Sequence, residues 1–170
     1  MRCRRIVFYV VVIIFILIFL MYFVRAFSER QIDDVSPGID CDPLLLEKSD
    51  VLYVIPDFEG KDIAEDSMWC SEILDLDKEL SLHGVFHNYK EFNEEYNNEE
   101  FKEGLNSFKD CFGKYPVDFK PPQLAISLEN KEMIERDFDL KVRARFNQLF
   151  HKVYHCEDTG VFSNEFIDWF

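Results

Sequence analysis

Val51-Leu-Tyr-Val-Ile55, closed by Pro56, is a compact run of β-branched and aromatic residues and reads as a buried strand. Asp62-Ile-Ala-Glu65 follows as a capping pair, an acidic N-cap with Glu three residues on, and predicts a helix to about Leu80. Leu82 to Phe86 is short and apolar again, a second strand. A long acidic helical region starts from Asn88, with Phe101, Leu105, Phe108 and Phe112 at three- and four-residue spacing on one buried face. Gly113 and Pro116 end it in the usual order. Phe119 to Ile126 is broken by Pro121 and Pro122 and reads as a short strand running into a fixed turn. Ser127 caps a further helix through about Phe138. Leu140 to Phe146 alternates like a half-covered strand, and Lys152 to His155 is either the last strand or loop. Such alternation predicts an α/β fold with a mainly parallel sheet, whose ligands gather at the C-terminal strand ends.

The N-terminus sets a different context. Ile6 to Val24 is an unbroken apolar run of 19 residues, close to the ~20 that cross a bilayer as a helix. It reads as one transmembrane anchor. A cleaved signal peptide competes, because Val24-Arg25-Ala26 resembles a cleavage site, but the run exceeds the roughly 7–15 residues of a signal core. Arg2, Arg4 and Arg5 before the span, against Arg25 and Arg30 after it, put the N-terminus in the cytoplasm and the C-terminal domain outside it. The expected organisation is a basic tail at 1–5, the anchor at 6–24, a linker at 25–30 and one domain at 31–170.

Charge and cysteine usage agree with that placement. Setting aside Arg2, Arg4, Arg5 and Arg25 from the 19 basic residues leaves 15 against all 33 acidic ones, so the part beyond the anchor carries about −18. A surface of that sign repels nucleic acid and anionic lipid. Cys3 would stay inside, while Cys41, Cys70, Cys111 and Cys156 form an even set that permits two disulfides in three connectivities, or serves as small buried hydrophobes.

All four histidines fall in two pairs of equal spacing, His83-Gly-Val-Phe-His87 and His151-Lys-Val-Tyr-His155, downstream of an Asp33-Asp34 doublet. Two imidazoles and one carboxylate are the donor set of an open metal site. In a strict strand, residues four apart are about 13 Å apart, too far for one ion, so one of His83 and His87 must lie on a bend that Gly84 makes cheap. Asp33-Asp34 before Val-Ser-Pro-Gly also reads as plain turn chemistry. His151 reads as the cover of a helix end, and Glu157 and Asp158 either orient His155 or are surface charge.

Gln-Ile-Asp-Asp-Val-Ser-Pro (31–37), Leu-His-Gly-Val-Phe-His (82–87), Phe-Lys-Pro-Pro (119–122) and Tyr-His-Cys-Glu-Asp (154–158) resemble, in order, the motifs of polysaccharide deacetylases, in an uncharacterised branch of that superfamily. The resemblance covers most of residues 31–160. It implies a short, distorted or incomplete (β/α) barrel and a hydrolase acting on C–N bonds other than peptide bonds, which releases acetate from an N- or O-acetylated glycan or glycolipid. By motif position, Asp34, His83 and His87 would hold one divalent ion, Zn2+ by preference. Asp33 would be the general base toward water, and His155 the general acid toward the leaving group. The family's supporting arginine and tryptophan motifs have no match, Lys120 stands nearest with no role assigned, and Phe27-Ser-Glu-Arg-Gln31 does not read as a buried strand. A domain this short also admits a degenerate barrel that binds a glycan or protein at the membrane without turnover.

Overall fold

The computed structural model describes residues 2–169. Met1 and Phe170, the outer ends of the expected basic tail and domain, lie outside the described residues, as do the side chains of Arg2 and Cys3. The chain opens with helix α1 (Arg2–Phe27), 26 residues long. Residues 4–27 of it are long and apolar enough to cross a membrane, and its side chains from Ile6 to Leu20 are exposed. A helix is the one open-ended form that satisfies its own backbone in so apolar a run.

Strand β1 (Arg30–Val35) follows at once, then α2 (Pro43–Lys48), β2 (Val51–Val54) and a small antiparallel hairpin, β3 (Asp57–Phe58) with β4 (Lys61–Asp62). A 3-10 turn leads into α3 (Ser67–Asp75), and β5 (Glu79–Leu82) is followed by α4 (Asn98–Phe112). The chain closes with β6 (Asp118–Phe119), α5 (Leu128–Asp137), β7 (Lys141–Val142), α6 (Asn147–Phe150), β8 (Lys152–His155) and α7 (Asn164–Trp169).

Six strands form one parallel sheet in the order β7-β6-β5-β2-β1-β8. The fold is α/β, with β7 and β8 as the two edges of the sheet, consecutive in the chain through α6, and no closed barrel among the described residues. Every residue of β2 is buried, as an apolar strand covered on both faces requires. Phe101 of α4 meets Phe119 and Phe138 with ring centroids 5.4 and 4.8 Å apart, and Leu105, Phe108 and Phe112 continue the same buried face. Gly113 ends that helix with φ +70°, the left-handed conformation glycine adopts freely.

Several boundaries differ from the sequence reading. Asp62 caps only the 3-10 turn Ile63–Glu65, Asp66 caps α3, and the helix stops before Asp77, whose φ is +52°. Leu80 therefore belongs to β5, and the strand expected at Leu82 to Phe86 runs from Glu79 to Leu82 instead. The acidic stretch after Asn88 stays non-helical until Asn98, and β7 keeps only two of the residues that alternate from Leu140 to Phe146. The largest difference is β1. Gln31 to Val35 are all buried and pair with both β2 and β8, although the segment carries two acids and a glutamine.

Two disulfides, Cys41–Cys156 and Cys70–Cys111, select one of the three connectivities. The first ties the loop after β1 to the residue after β8, and the second ties α3 to α4.

Candidate metal centre

The C-terminal ends of β1, β5 and β8 carry the acids and histidines of the four motifs. In a regular strand neighbouring side chains point to opposite faces. Asp34 escapes that rule because its φ is +66° and the β1/β2 register shifts between Ile32 and Val35. Aspartate tolerates this left-handed conformation better than most residues, and strand irregularities of this kind re-aim side chains. Asp33 and Asp34 thus both line one cleft of about 220 Å³, together with His83, His87 and His155.

His83 leaves the sheet after β5 while its N–H still bonds Val54 O at 2.8 Å. Gly84 then adopts φ +70° and His87 φ +59°, the expected bend. A Cβ on Gly84 would come within 2.7 Å of both Glu91 and Pro122. The turn is gathered by the Glu91 carboxylate, which accepts the backbone N–H of Val85, Phe86 and His87 at 3.1, 3.1 and 3.0 Å and the Tyr96 hydroxyl at 2.9 Å. As a result the His83 and His87 ring centroids are 5.0 Å apart.

Asp34 Oδ1 lies 2.9 Å from His87 Nε2 and 3.3 Å from His83 Nε2, and the ligand atoms of all three residues fall within 4.8 Å of one another. That oxygen is buried, yet it receives no well-aligned hydrogen bond. Burial pushes the Asp34 carboxyl up, but the two imidazoles outweigh it and hold the group well below the usual carboxylate range. His83 Nδ1 is 2.9 Å from Lys120 O. A carbonyl only accepts, so Nδ1 carries a proton, and a neutral ring then aims its Nε2 lone pair at a carboxylate oxygen. Two acceptors facing at 3.3 Å require a cation between them, either a proton or a metal ion. Burial depresses His83, while Asp33 and Asp34 more than reverse this and raise its pKa. The residues present fit a divalent ion with three protein ligands and an open position.

Asp33 points its two oxygens to different partners. Oδ1 is 2.6 Å from Lys120 Nζ, which also bonds Gln31 Oε1 at 2.7 Å and lies 3.7 Å from the centroid of the Tyr53 ring. Lys120 is fully buried, and burial lowers its pKa against the opposing pull of Asp33 and Asp118. Asn147 Nδ2 donates to the same Gln31 oxygen at 2.6 Å. Oδ2 of Asp33 faces the cleft, 4.0 Å from both His83 Nε2 and His155 Nε2.

His155 is held from behind. Asn164 accepts its N–H at 3.0 Å and donates to its carbonyl at 2.7 Å, and Gly160 sits against the ring so closely that a Cβ there would collide with it. Asp158 takes part in this hold: its N–H donates to His155 O at 3.2 Å, and its carboxylate accepts from Asn164 N. His151 stands apart from the cleft as the C-cap of α6, with Nδ1 3.0 Å from Asn147 O and Nε2 3.6 Å from Glu29. Trp69 packs against Phe112 in the core. Lys120, Glu91 and Asn164 are the supporting residues that sequence reasoning did not assign. Only Lys120, beside Pro121-Pro122, carried a signal.

No protein-family pattern matches the chain, and no curated protein does. Among solved structures, it is similar to a mutant of BA3943, described as a CE4 family pseudoenzyme, with TM-score 0.50 and 11% identity over 67% of this chain and 42% of that one. It is also similar to the Xyl-CE4 domain of a multidomain xylanase from the hindgut metagenome of Trinervitermes trinervoides, with TM-score 0.42 and 15% identity over 62% of this chain and 54% of that one. The chain spans about half the length of the structures it matches. Its α/β architecture is thus the fold of the CE4, or polysaccharide deacetylase, structures.

Proposed function

We propose that the protein is a membrane-anchored, metal-dependent hydrolase that removes acetyl groups from an N- or O-acetylated glycan or glycolipid. The observation that carries this reading is the convergence of Asp34, His83 and His87 beside a separately held Asp33 in one cleft. A binding site alone needs no second carboxylate aimed past the ligand set.

A divalent ion held by Asp34, His83 and His87, with Zn2+ suited to this donor set, would supply Lewis-acid activation of water and of the acetyl carbonyl. The chain's own residues do the rest. Lys120 occupies Asp33 Oδ1, so Oδ2 is the oxygen free to take the proton of the attacking water. The new C–O bond forms at the acetyl carbon as its bond to the sugar nitrogen or oxygen breaks. His155 Nε2, across the cleft from Asp33, returns a proton to that leaving atom, giving acetate and the free amine or alcohol. Two disulfides support an oxidising, outward placement of the domain, α1 supports anchoring through residues 6–24, and the arginines before it support a cytoplasmic N-terminus.

The test uses the full chain in detergent, with metal content by elemental analysis and acetate release from acetylated oligosaccharides. Asp33→Asn is expected to keep about one metal equivalent and lose acetate release by a factor of roughly 10²–10⁴. Full activity in Asp33→Asn would defeat the mechanism. A folded wild-type chain that takes up no metal would favour a glycan-binding or protein-binding module without turnover.

A further inference from the structure

Gln148 links the apolar N-terminal helix to the cleft. Its backbone carbonyl accepts from Arg25 Nη1 at 2.6 Å, and the same residue lines the cleft with Asp34, His87 and His155. Arg25 is buried and α1 touches α6, whereas Ile6 to Leu20, Tyr22 to Val24 and Phe27 are exposed, so α1 is seated on the domain through the face that carries Arg25. One residue of α6 therefore separates that seat from the candidate metal site.

The surface around this junction is apolar. Phe27 at the end of α1 and Phe146, Leu149 and Phe150 around α6 are exposed. Across the cleft mouth, Val161 is 84% exposed and Phe162 52%. Val161 and Phe162 flank a side pocket that opens beside Gln148 and His155 and is floored by Val153 and Ile167. Residues 146–150 and 160–163 contain no charged residue, in a domain that carries about −18. An exposed apolar surface of this kind marks an interaction site, and aromatic side chains favour the membrane interface.

We propose that this surface rests on the bilayer that holds α1, and that the cleft receives the acetylated head group of a lipid-linked glycan whose chains stay in the membrane. The continuity of the patch with α1 selects the bilayer as its occupant, and the acidic domain selects a zwitterionic lipid surface over an anionic one. The substrate half of the proposal rests on the deacetylase reading; the seating half does not.

The experiment reconstitutes the full chain in phosphatidylcholine nanodiscs with plain or brominated acyl chains. In a Trp69→Phe, Trp169→Phe background, Phe146→Trp is compared with Met68→Trp, since Met68 is exposed on α3, which packs against α4. Brominated lipid is expected to quench the Phe146→Trp variant at least ~3-fold more strongly, as a side chain inside the interface requires. Equal quenching overturns the seating. In the same discs, a Phe146→Ser, Leu149→Ser variant is expected to release acetate ~10-fold more slowly from a lipid bearing an N-acetylhexosamine, with release from a soluble N-acetylated oligosaccharide unchanged. An equal change on both substrates overturns the lipid assignment. A wild-type chain that hydrolyses neither substrate sinks the deacetylase reading and the substrate half with it, while quenching still decides the seating.

Discussion

Lys120 Nζ and Asp33 Oδ1 form a 2.6 Å ion pair with both side chains buried, 87 residues apart in the chain. A buried carboxylate deprived of its cation is expensive, on the order of 3–5 kcal/mol. Lys120→Met is therefore expected to lower stability by about that amount in urea unfolding of the full chain in detergent. Asp33→Asn combined with Lys120→Met should lose less than the sum of the two single variants, because the second change removes the stranded charge. Additivity within ~0.5 kcal/mol would show that the pair is not energetically coupled.

Glu91 holds the bend that brings His87 back beside His83, through three backbone N–H groups and the Tyr96 hydroxyl. Burial and the Glu91 carboxylate both push the Tyr96 phenol up, so this hydroxyl remains a donor. Glu91→Ala leaves Asp34, His83 and His87 unchanged but releases the turn. Metal affinity, read by chelator competition, should fall roughly 10–100-fold, the usual effect of losing an orienting partner. Unchanged affinity in a folded Glu91→Ala chain would show that the turn holds its shape without that carboxylate.

The sequence disclosed the parts of this fold whose signal is local. Val51 to Ile55 alternate no polarity because both faces of β2 are covered, and the phenylalanines of α4 repeat with the helix period. Asp34, His83 and His87 were grouped through the resemblance of their motifs, and the structure brings the three side chains together. β1 was not legible, since the buried Gln31 oxygen finds its donors in Lys120 and Asn147, residues 89 and 116 positions away, and Asp33 finds its cation in Lys120. Glu91 and Asn164 were hidden for the same reason: each acts on backbone groups, and a side chain that binds backbone leaves no motif. The end of the helix after Asp62 was missed because Asp77 takes a left-handed conformation that no glycine announced.

Cys41–Cys156 closes a sequence separation of 115 residues and Cys70–Cys111 one of 41. Loop-closure entropy then gives the longer bridge the larger effect, about 5 against about 4 kcal/mol. Cys41→Ala with Cys156→Ala is expected to destabilise the chain more than Cys70→Ala with Cys111→Ala, as read by guanidinium unfolding without reductant. The reversed order would mean that native packing between α3 and α4 outweighs chain entropy.

Asp168 docks the C-terminal helix. Lys48 Nζ bonds both its oxygens at 2.8 Å, and the Tyr154 hydroxyl donates to one of them at 2.9 Å. Partial burial pushes the Asp168 carboxyl up, but Lys48 and Tyr154 outweigh this and hold it below its ordinary value of 3.8. A carboxylate depressed in the folded state contributes stability that is full above the unfolded pKa and is lost as pH falls through the folded one. The group is half exposed, so the effect is under ~1 kcal/mol and local. After correction for intrinsic rates, hydrogen exchange across residues 164–169 should accelerate as pH drops from about 5 to about 3. Asp168→Asn should show the faster exchange already near neutral pH. Because Asn164 of the same helix clamps the His155 backbone, that fraying should extend to residue 155. Protection that is independent of pH across this segment would instead assign the docking of α7 to Ile167 and its apolar contacts.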